Sequence, residues 1–464
     1  MFSRIIHFLA LQSLFPLVLS SHGSLSLPFS LPLQQSQTRL SQHDPQTLTL
    51  SLERVTPKPT SDPYHKLSIY ASTSLARAQL LKRPKFSKNA TTFEVPLSPL
   101  SYGGYTVTLD FGTPPQPLSF IMDTGSELVW FPCTSTYICA MCPNPIPTFF
   151  PKQSTSAKLV GCLNPKCKWI SESSGSISLC KSRVCSPYIV QYGSGSTSGL
   201  LLSETLNLKS SSKFEDFVVG CSLISSRLPS GIAGFGRGNL SLPDQLNLGK
   251  FSYCLVSHKF DNTNKSSTMQ LGALVDESNL EFTPFLKNPI SENKAFQVYY
   301  YLGLRKITVG GKKVKIPYEL LKLEPSGNGG CIIDSGTTFT FMEREIFDRV
   351  AEKFEAEVGL EREKAIEESS GLRPCFNVSK GENLTLPKLG FHFKGGATME
   401  LPLENYFAFF GETQAVCLTI LTDNGNVNGS KVGPSIILGN FQQQNYYIVY
   451  DIEKGRLGFR PQEC

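Results

Sequence analysis

The feature that most restricts how this 464-residue chain can fold is a repeat. Residues 121–126 read IMDTGS and residues 332–337 read IIDSGT: two apolar residues, an aspartate, Ser or Thr, Gly, then Ser or Thr, twice. One such turn would mean little, because Asp, Gly and Ser are ordinary turn residues. By composition a single D-[ST]-G-[ST] turns up by chance in roughly a few per cent of chains this long. Two with matching apolar lead-ins are no coincidence. The repeat also extends further: GIAGFG (231–236) follows the first motif and SIILGN (435–440) the second, Gly234 lying 111 residues beyond Asp123 and Gly439 lying 105 beyond Asp334. A unit of about 200 residues therefore occurs twice, which divides the chain into two lobes. Runs such as YYYLGLRKITV (299–309), GFHF (390–393) and NYYIVYDI (445–452) alternate with Gly, Pro and Asn turns, so the fold class is all-β. One helix is clear, with Phe347, Val350, Ala351, Phe354 and Val358 on one face, and its role is packing.

The duplication carries a chemistry. Two carboxylates brought within a few ångströms cannot both ionise cheaply, so one gains proton affinity and the other loses it. Sharing a proton, the ionised member draws a proton from a water held between them while the neutral one donates to a substrate carbonyl. Neither a covalent intermediate nor a metal is required. Gly125 and Gly336 allow tight turns with N–H groups near the carboxylates, and the hydroxyls of Thr124, Ser126, Ser335 and Thr337 are placed to hold the pair coplanar.

The amino-terminal region has a different character. Residues 5–19, IIHFLALQSLFPLVL, follow Arg4 and precede Ser20, Ser21 and Gly23, the layout of a secretory signal peptide over residues 1–22. Fifteen residues interrupted by His7, Gln12 and Pro16 are short for a membrane span. Six sequons fit secretion: Asn89, Asn239, Asn264, Asn377, Asn383 and Asn428. So do thirteen cysteines, seven of them between Cys133 and Cys185. Cys139-Ala-Met-Cys142 could be half a zinc knuckle, but none of the six histidines lies in this region, and a disulfide framework is the better reading. Thirteen is odd, and Cys331 is the candidate for a buried free thiol.

Residues 22–95 hold nine Lys/Arg against four Asp/Glu, whereas 96–464 balances at 34 of each, so no basic surface for nucleic acid is expected beyond residue 95. The stretch to about residue 64 reads as poorly folded. Leu67, Tyr70, Ala71, Leu75, Ala78 and Leu81 then recur at helical spacing, a basic amphipathic helix. Composition leaves two readings: a linker with one surface helix, or a pro-segment whose cations neutralise an acidic cleft.

From about Tyr105 to Cys464 the chain resembles pepsin-type aspartic endopeptidases, and more closely the plant nepenthesin-like group. The pieces that carry the likeness are YTVTLDFGTPPQ (105–116), IMDTGSELVWFPC (121–133), the Cys-rich insert to Cys185, YGSGSTSG (192–199), SGIAGFGRGNLSLPDQL (230–246), FSYCL (251–255), CIIDSGTTFT (331–340) and ILGNFQQQNYYIVYD (437–451). The resemblance implies a bilobal pepsin-like acid protease fold with a central cleft, Asp123 and Asp334 as the catalytic pair, and no cofactor. Tyr192 matches a flap tyrosine, Trp130 its indole partner, and Gly336 and Thr338 positions that hydrogen-bond substrate backbone. It further implies a propeptide over 23–92, an N-terminal lobe over 93–285 and a C-terminal lobe over 286–464. SLARAQLLKRP (74–84) is pro-segment-like and favours a zymogen, with Lys82 or Lys85 as cations that could screen the aspartates. The pairings implied are Cys133–Cys221, Cys139–Cys142, Cys162–Cys185, Cys167–Cys180, Cys254–Cys464 and Cys375–Cys417. Departures are Ser194, where the group usually has Asp, Glu127 for the commoner Asp, and Cys331 three residues before Asp334. The implied partners are peptide or protein substrates of a monomer without a membrane anchor, secreted to the apoplast or cell wall, the vacuole being less supported. The rival is a silent binding protein on the same fold, of the xylanase-inhibitor type; such relatives lose catalytic residues that this chain keeps.

Overall fold

Each aspartate motif ends a strand, and the later apolar-Gly segment of the same repeat lies parallel beside that strand. Strand β1 is Leu48–Arg54, β2 Tyr105–Phe111 and β3 Gln116–Asp123. The segment Gly231–Gly234 pairs parallel with β3, Gly234 opposite Asp123. In the second repeat Ile436–Leu438 pairs parallel with Cys331–Ile333, Leu438 opposite Ile333. The sequence repeat is thus one construction built twice. Apolar and β-branched residues buried on both sides of these strands suit a parallel pair, and their burial leaves the aspartates at the strand ends.

The computed structural model describes residues 48–54, 63–82, 103–142, 145–174, 183–193, 195–208, 212–228, 230–257, 266–272, 275–290, 293–378, 386–410, 415–423 and 432–464. All of them lie in the unit Pro45–Cys464. It is a two-lobed, sheet-rich molecule. A fifteen-stranded sheet runs through it, in part in the order 281–284, 456–461, 446–451, 250–254, 267–271, β1, β2, β3, so the first and the last described strands share one sheet. Three smaller sheets build the rest of the C-terminal lobe. The helix Arg344–Val358 buries Ile346, Phe347, Val350, Ala351 and Phe354 as its periodicity requires, and ends where Gly359 turns left-handed at φ 64°.

Two expectations change here. Residues 48–54 are not poorly folded: β1 pairs with 267–271 on one side and β2 on the other, with Leu50 and Leu52 in the core. The alternation L-T-L-S-L-E-R is the signal for it. The other change is in the cysteines. Cys167 bonds Cys185, in place of the expected Cys162–Cys185 and Cys167–Cys180. The cause is local register: Gly161 bridges Val184 antiparallel, and Cys185 N–H donates to Val160 O, so Cys162 stands opposite residue 183 and not 185. Cys162 is itself in a disulfide, and Cys180 lies outside the described residues. Bonds also join Cys133 to Cys221, Cys139 to Cys142, Cys254 to Cys464 and Cys375 to Cys417, while the Cys331 thiol is free and buried.

Helix α1, Pro63–Lys82, begins on a proline, as a first helical position tolerates. Its apolar stripe is the one the spacing foretells. Leu67, Tyr70 and Ala71 pack with Phe339, Leu372 and Phe441; Ala78 and Leu81 pack with Phe296, Tyr299, Tyr301 and Phe341. Burying Leu67, Tyr70 and Leu81 stabilises the docked helix by about 1.5–3 kcal/mol each.

Candidate active site

The two turns face each other through their glycines. A Cβ on Gly125 would lie 2.7 Å from Asp334 Oδ1, and one on Gly336 would lie 2.4 Å from Asp123 Oδ1. Each glycine is therefore required by the other repeat's carboxylate, a close approach that only a bare Cα permits. Gly336→Ala is expected to force the loops apart and destabilise the chain by about 1–3 kcal/mol, as overpacking does. Gly104→Ala, whose Cβ would meet only Ile121 at 3.5 Å, is the matched control and should leave the thermal midpoint unchanged.

The hydroxyls divide into two jobs. Ser126 Oγ donates to Asp123 Oδ2 at 2.6 Å and Gly125 N–H to Oδ1 at 3.0 Å. Thr337 Oγ1 donates to Asp334 Oδ2 at 2.5 Å and Gly336 N–H to Oδ1 at 2.9 Å. Thr124 and Ser335 instead bond across the lobes: Thr124 N–H donates to Ser335 Oγ at 3.0 Å, and Ser335 N–H to Thr124 Oγ1 at 2.9 Å. The result is a pair of buried carboxyls held by near-identical shells.

Between them lies a residue that sequence reasoning missed. Arg77 of α1 donates through Nη2 to Asp123 Oδ1 at 2.6 Å and through Nε to Asp334 Oδ2 at 3.2 Å. Lys82 does not reach the aspartates; it pairs with Glu343 at 3.1 Å and covers the Phe341 ring. Lys85 lies outside the described residues. Arg77 was legible in principle, as a cation on the buried stripe flanked by Ala76 and Ala78, but its segment holds eight other basic residues that dilute the signal.

Burial pushes the Asp123 carboxyl up to about 6, Asp334's charge adding to the rise and Arg77 opposing it. Asp334 is as deeply buried, yet Arg77 and the Thr337 and Gly336 hydrogen bonds bring it below the usual carboxylate range. Burial works against Arg77's charge, but the two carboxylates outweigh it and keep it protonated. A pair so divided can hold one proton between its members.

Tyr192 and Trp130 come together, Trp130 Nε1–H donating to Tyr192 Oη at 3.0 Å. Tyr192 ends the strand Tyr188–Tyr192 of a hairpin whose Gly193 packs on the Arg77 backbone. Burial first, then the Asp123 charge, raises the Tyr192 phenol well above its ordinary value. Thr338 lines the same cleft with Thr73, Ser74 and Arg77. With α1 in place the remaining cavity is ≈ 30 Å³, room for a water and not for a peptide. Ser194 lies outside the described residues. Of the sequons, Asn239 is exposed, while Asn377 is half-buried and donates its Nδ2–H to Glu363; Asn89, Asn264, Asn383 and Asn428 lie outside the described residues. Among the described residues no helix is long and apolar enough to cross a membrane.

A family model described as xylanase inhibitor N-terminal matches residues 105–273, and one described as xylanase inhibitor C-terminal matches 299–461. The chain is 34% identical to aspartic proteinase nepenthesin-1 of Nepenthes gracilis over 370 residues, 78% of each chain. It is 33% identical to nepenthesin-2 of the same plant over 371 residues, again 78% of each. Aspartyl protease family protein 2 of Arabidopsis thaliana matches at 33% over 372 residues, 78% of this chain and 71% of that one. Among solved structures, edgp superposes with a TM-score of 0.63 at 18% identity, over 90% of this chain and 95% of the other. Conglutin gamma, a basic 7S globulin from lupine seeds, superposes at 0.58 and 17%, over the same shares. These two likenesses establish the fold alone.

Proposed function

Because this chain belongs to the plant nepenthesin-like family of pepsin-type aspartic proteases, we propose that it is a secreted aspartic endopeptidase, made as a zymogen, that hydrolyses peptide bonds at acidic pH. The observation that carries the reading is the buried carboxyl pair, each member fixed by its own turn and the two unlike in proton affinity. Once Arg77 withdraws, a water takes the place between Asp123 and Asp334. The ionised carboxylate accepts a proton from that water, and the protonated one donates to the scissile carbonyl oxygen as the water attacks its carbon. Tyr192 closes over the substrate, and Gly336 and Thr338 hold its backbone. The substrate is a peptide or protein bound by a monomer, and residues 23–92 are the segment removed. The signal peptide and sequons support delivery to the apoplast or cell wall.

Helix α1 supports the zymogen reading, since its Arg77 occupies the place of the water. Its docking should depend on pH. The sign is set by each carboxyl's value in the docked state against its value in water, raised for Asp123 and lowered for Asp334. Asp123 is pushed up to about 6 in the docked state, mainly by burial, so it binds its proton more readily docked than in water, and its protonation as the pH falls through about 6 favours docking. Asp334 keeps its ion pair until the pH drops below its ordinary 3.8. Brief hydrogen–deuterium exchange across pH 3–7 should therefore find the protection of α1 undiminished as the pH falls through about 6 and lost only below Asp334's ordinary 3.8, and loosening already near pH 6 would count against this reading.

The test of the activity is cleavage of a mixed peptide library by the acid-treated protein between pH 3 and 7, with and without a pepstatin-type inhibitor. Cleavage at acid pH, blocked by the inhibitor, is the expected result. The second reading is a silent binding protein, favoured by the xylanase-inhibitor description of the matching family models. A folded, processed chain that cleaves nothing would leave that reading standing.

A further inference from the structure

Beneath the carboxyl pair runs a buried chain of side-chain hydrogen bonds that the catalytic scheme does not use. Gln443 Nε2 donates to Leu438 O at 2.9 Å and to Asp334 O at 3.4 Å. Both its donors are spent, so its Oε1 can only accept, and Tyr253 Oη donates to it at 2.5 Å. Tyr253 then offers only lone pairs to Tyr450 Oη, 3.0 Å away, so Tyr450 donates. The Tyr450 hydroxyl lies beside Thr124, whose oxygen accepts Ser335 N–H and whose hydroxyl donates to Ile333 O at 3.4 Å. The protons therefore run one way, from Tyr450 to Tyr253 to Gln443 to the backbone of Asp334. Tyr253, Tyr450 and Gln443 have no exposed surface.

The chain is one-sided. Setting Gly234 against Gly439, the place of Gln443 in the first repeat falls on Gly238, which has no side chain. Asp123 O is held instead by the backbone N–H of Phe235 at 2.7 Å. Tyr253 and Tyr450 sit on adjacent strands of the fifteen-stranded sheet, where Tyr253 faces Ile448 and Phe251 faces Tyr450. Phe251 and Tyr450 stack at 4.4 Å.

We infer that Tyr253, Tyr450 and Gln443 are positioning residues, which fix the Asp334 turn in register with the Asp123 turn. This rests on the proposed endopeptidase reading. Ordered polar chains in a dry interior polarise one another and hold one geometry; losing one link frees the Asp334 turn to drift.

The test uses acid-treated full chain carrying Tyr253→Phe, Gln443→Met or both, with Tyr406→Phe as control, a buried tyrosine whose hydroxyl donates to Pro387 O. For Tyr253→Phe, kcat should fall about ten- to a hundredfold with KM within twofold, as small misplacements of reacting groups do. Gln443→Met should match it, the double variant should lose no more than either single one, and Tyr406→Phe should keep its kcat. A second readout needs no turnover. Carboxyl ¹³C titration should find the gap between Asp123 and Asp334 narrowed in Tyr253→Phe and unchanged in Tyr406→Phe. An unchanged gap with unchanged kcat would overturn the inference even if the thermal midpoint fell. A wild type that cleaves nothing would end the endopeptidase reading, while the titration would still decide the network.

Discussion

Asp334→Asn, in the acid-treated chain, is expected to cut kcat/KM on a library-selected peptide by about 10⁴-fold or more, the scale of losing a general acid–base group. The substitution conserves volume. An amide oxygen can still accept Gly336 N–H, and Thr337 Oγ1 can accept from the amide nitrogen, so the turn survives. The proton is what goes missing. Asp123 also loses the neighbouring charge that raises it, so its carboxyl should move down. The thermal midpoint of the variant should stay near the wild type, separating loss of chemistry from loss of fold. Retained cleavage at wild-type rate would sink the assignment of the pair.

Arg77→Ala should act in the opposite direction on the full-length chain, raising its cleavage before any processing. Removing one side of a buried ion pair costs about 3–5 kcal/mol. Here that cost falls on the docked state alone, since the undocked carboxyls meet water. An energy of that size multiplies the open fraction by about two to three and a half orders of magnitude. Leu67, Tyr70 and Leu81 remain, at about 1.5–3 kcal/mol each, so most molecules stay closed and the gain falls short of the processed enzyme. Arg77→Lys keeps the charge and loses the two-pronged contact, and should lie between. The assay is initial cleavage rate on freshly purified chain, with a gel confirming that residues before Tyr105 are still attached. An unprocessed Arg77→Ala chain as silent as wild type would show that the apolar stripe alone closes the cleft.

The aspartate pair was legible because its chemistry leaves a repeated string, and the repeat's later Gly segments turned out to be the parallel neighbours of the same strands. Helix α1 was legible through its period. Arg77 was obscured because position along a helix does not say which cation meets a partner supplied by residues 46 and 257 places away. β1 was lost inside a Ser- and Pro-rich context, although its own seven residues alternate cleanly. The Cys167–Cys185 bond depends on a two-residue bridge between 161 and 184, which no spacing rule reports. The tyrosine–glutamine chain under the dyad joins Tyr253 to Gln443, 190 residues away, a pairing that neither stretch announces.

The sheet containing β1 has a consequence for how the protein is made. β1 lies between 267–271 and β2, and the same sheet continues through 250–254 to 446–451 and 456–461. Its strands come from nearly the first and nearly the last described residues. A nascent chain still on the ribosome can fold hairpins such as Gly195–Leu208 with Ser212–Ser226, but this central sheet must wait for the final strand to emerge. High contact order of this kind makes closure slow and leaves strand edges open meanwhile. Loss of even the last ten residues would therefore be felt far from the C-terminus, in the sheet that receives residues 48–54.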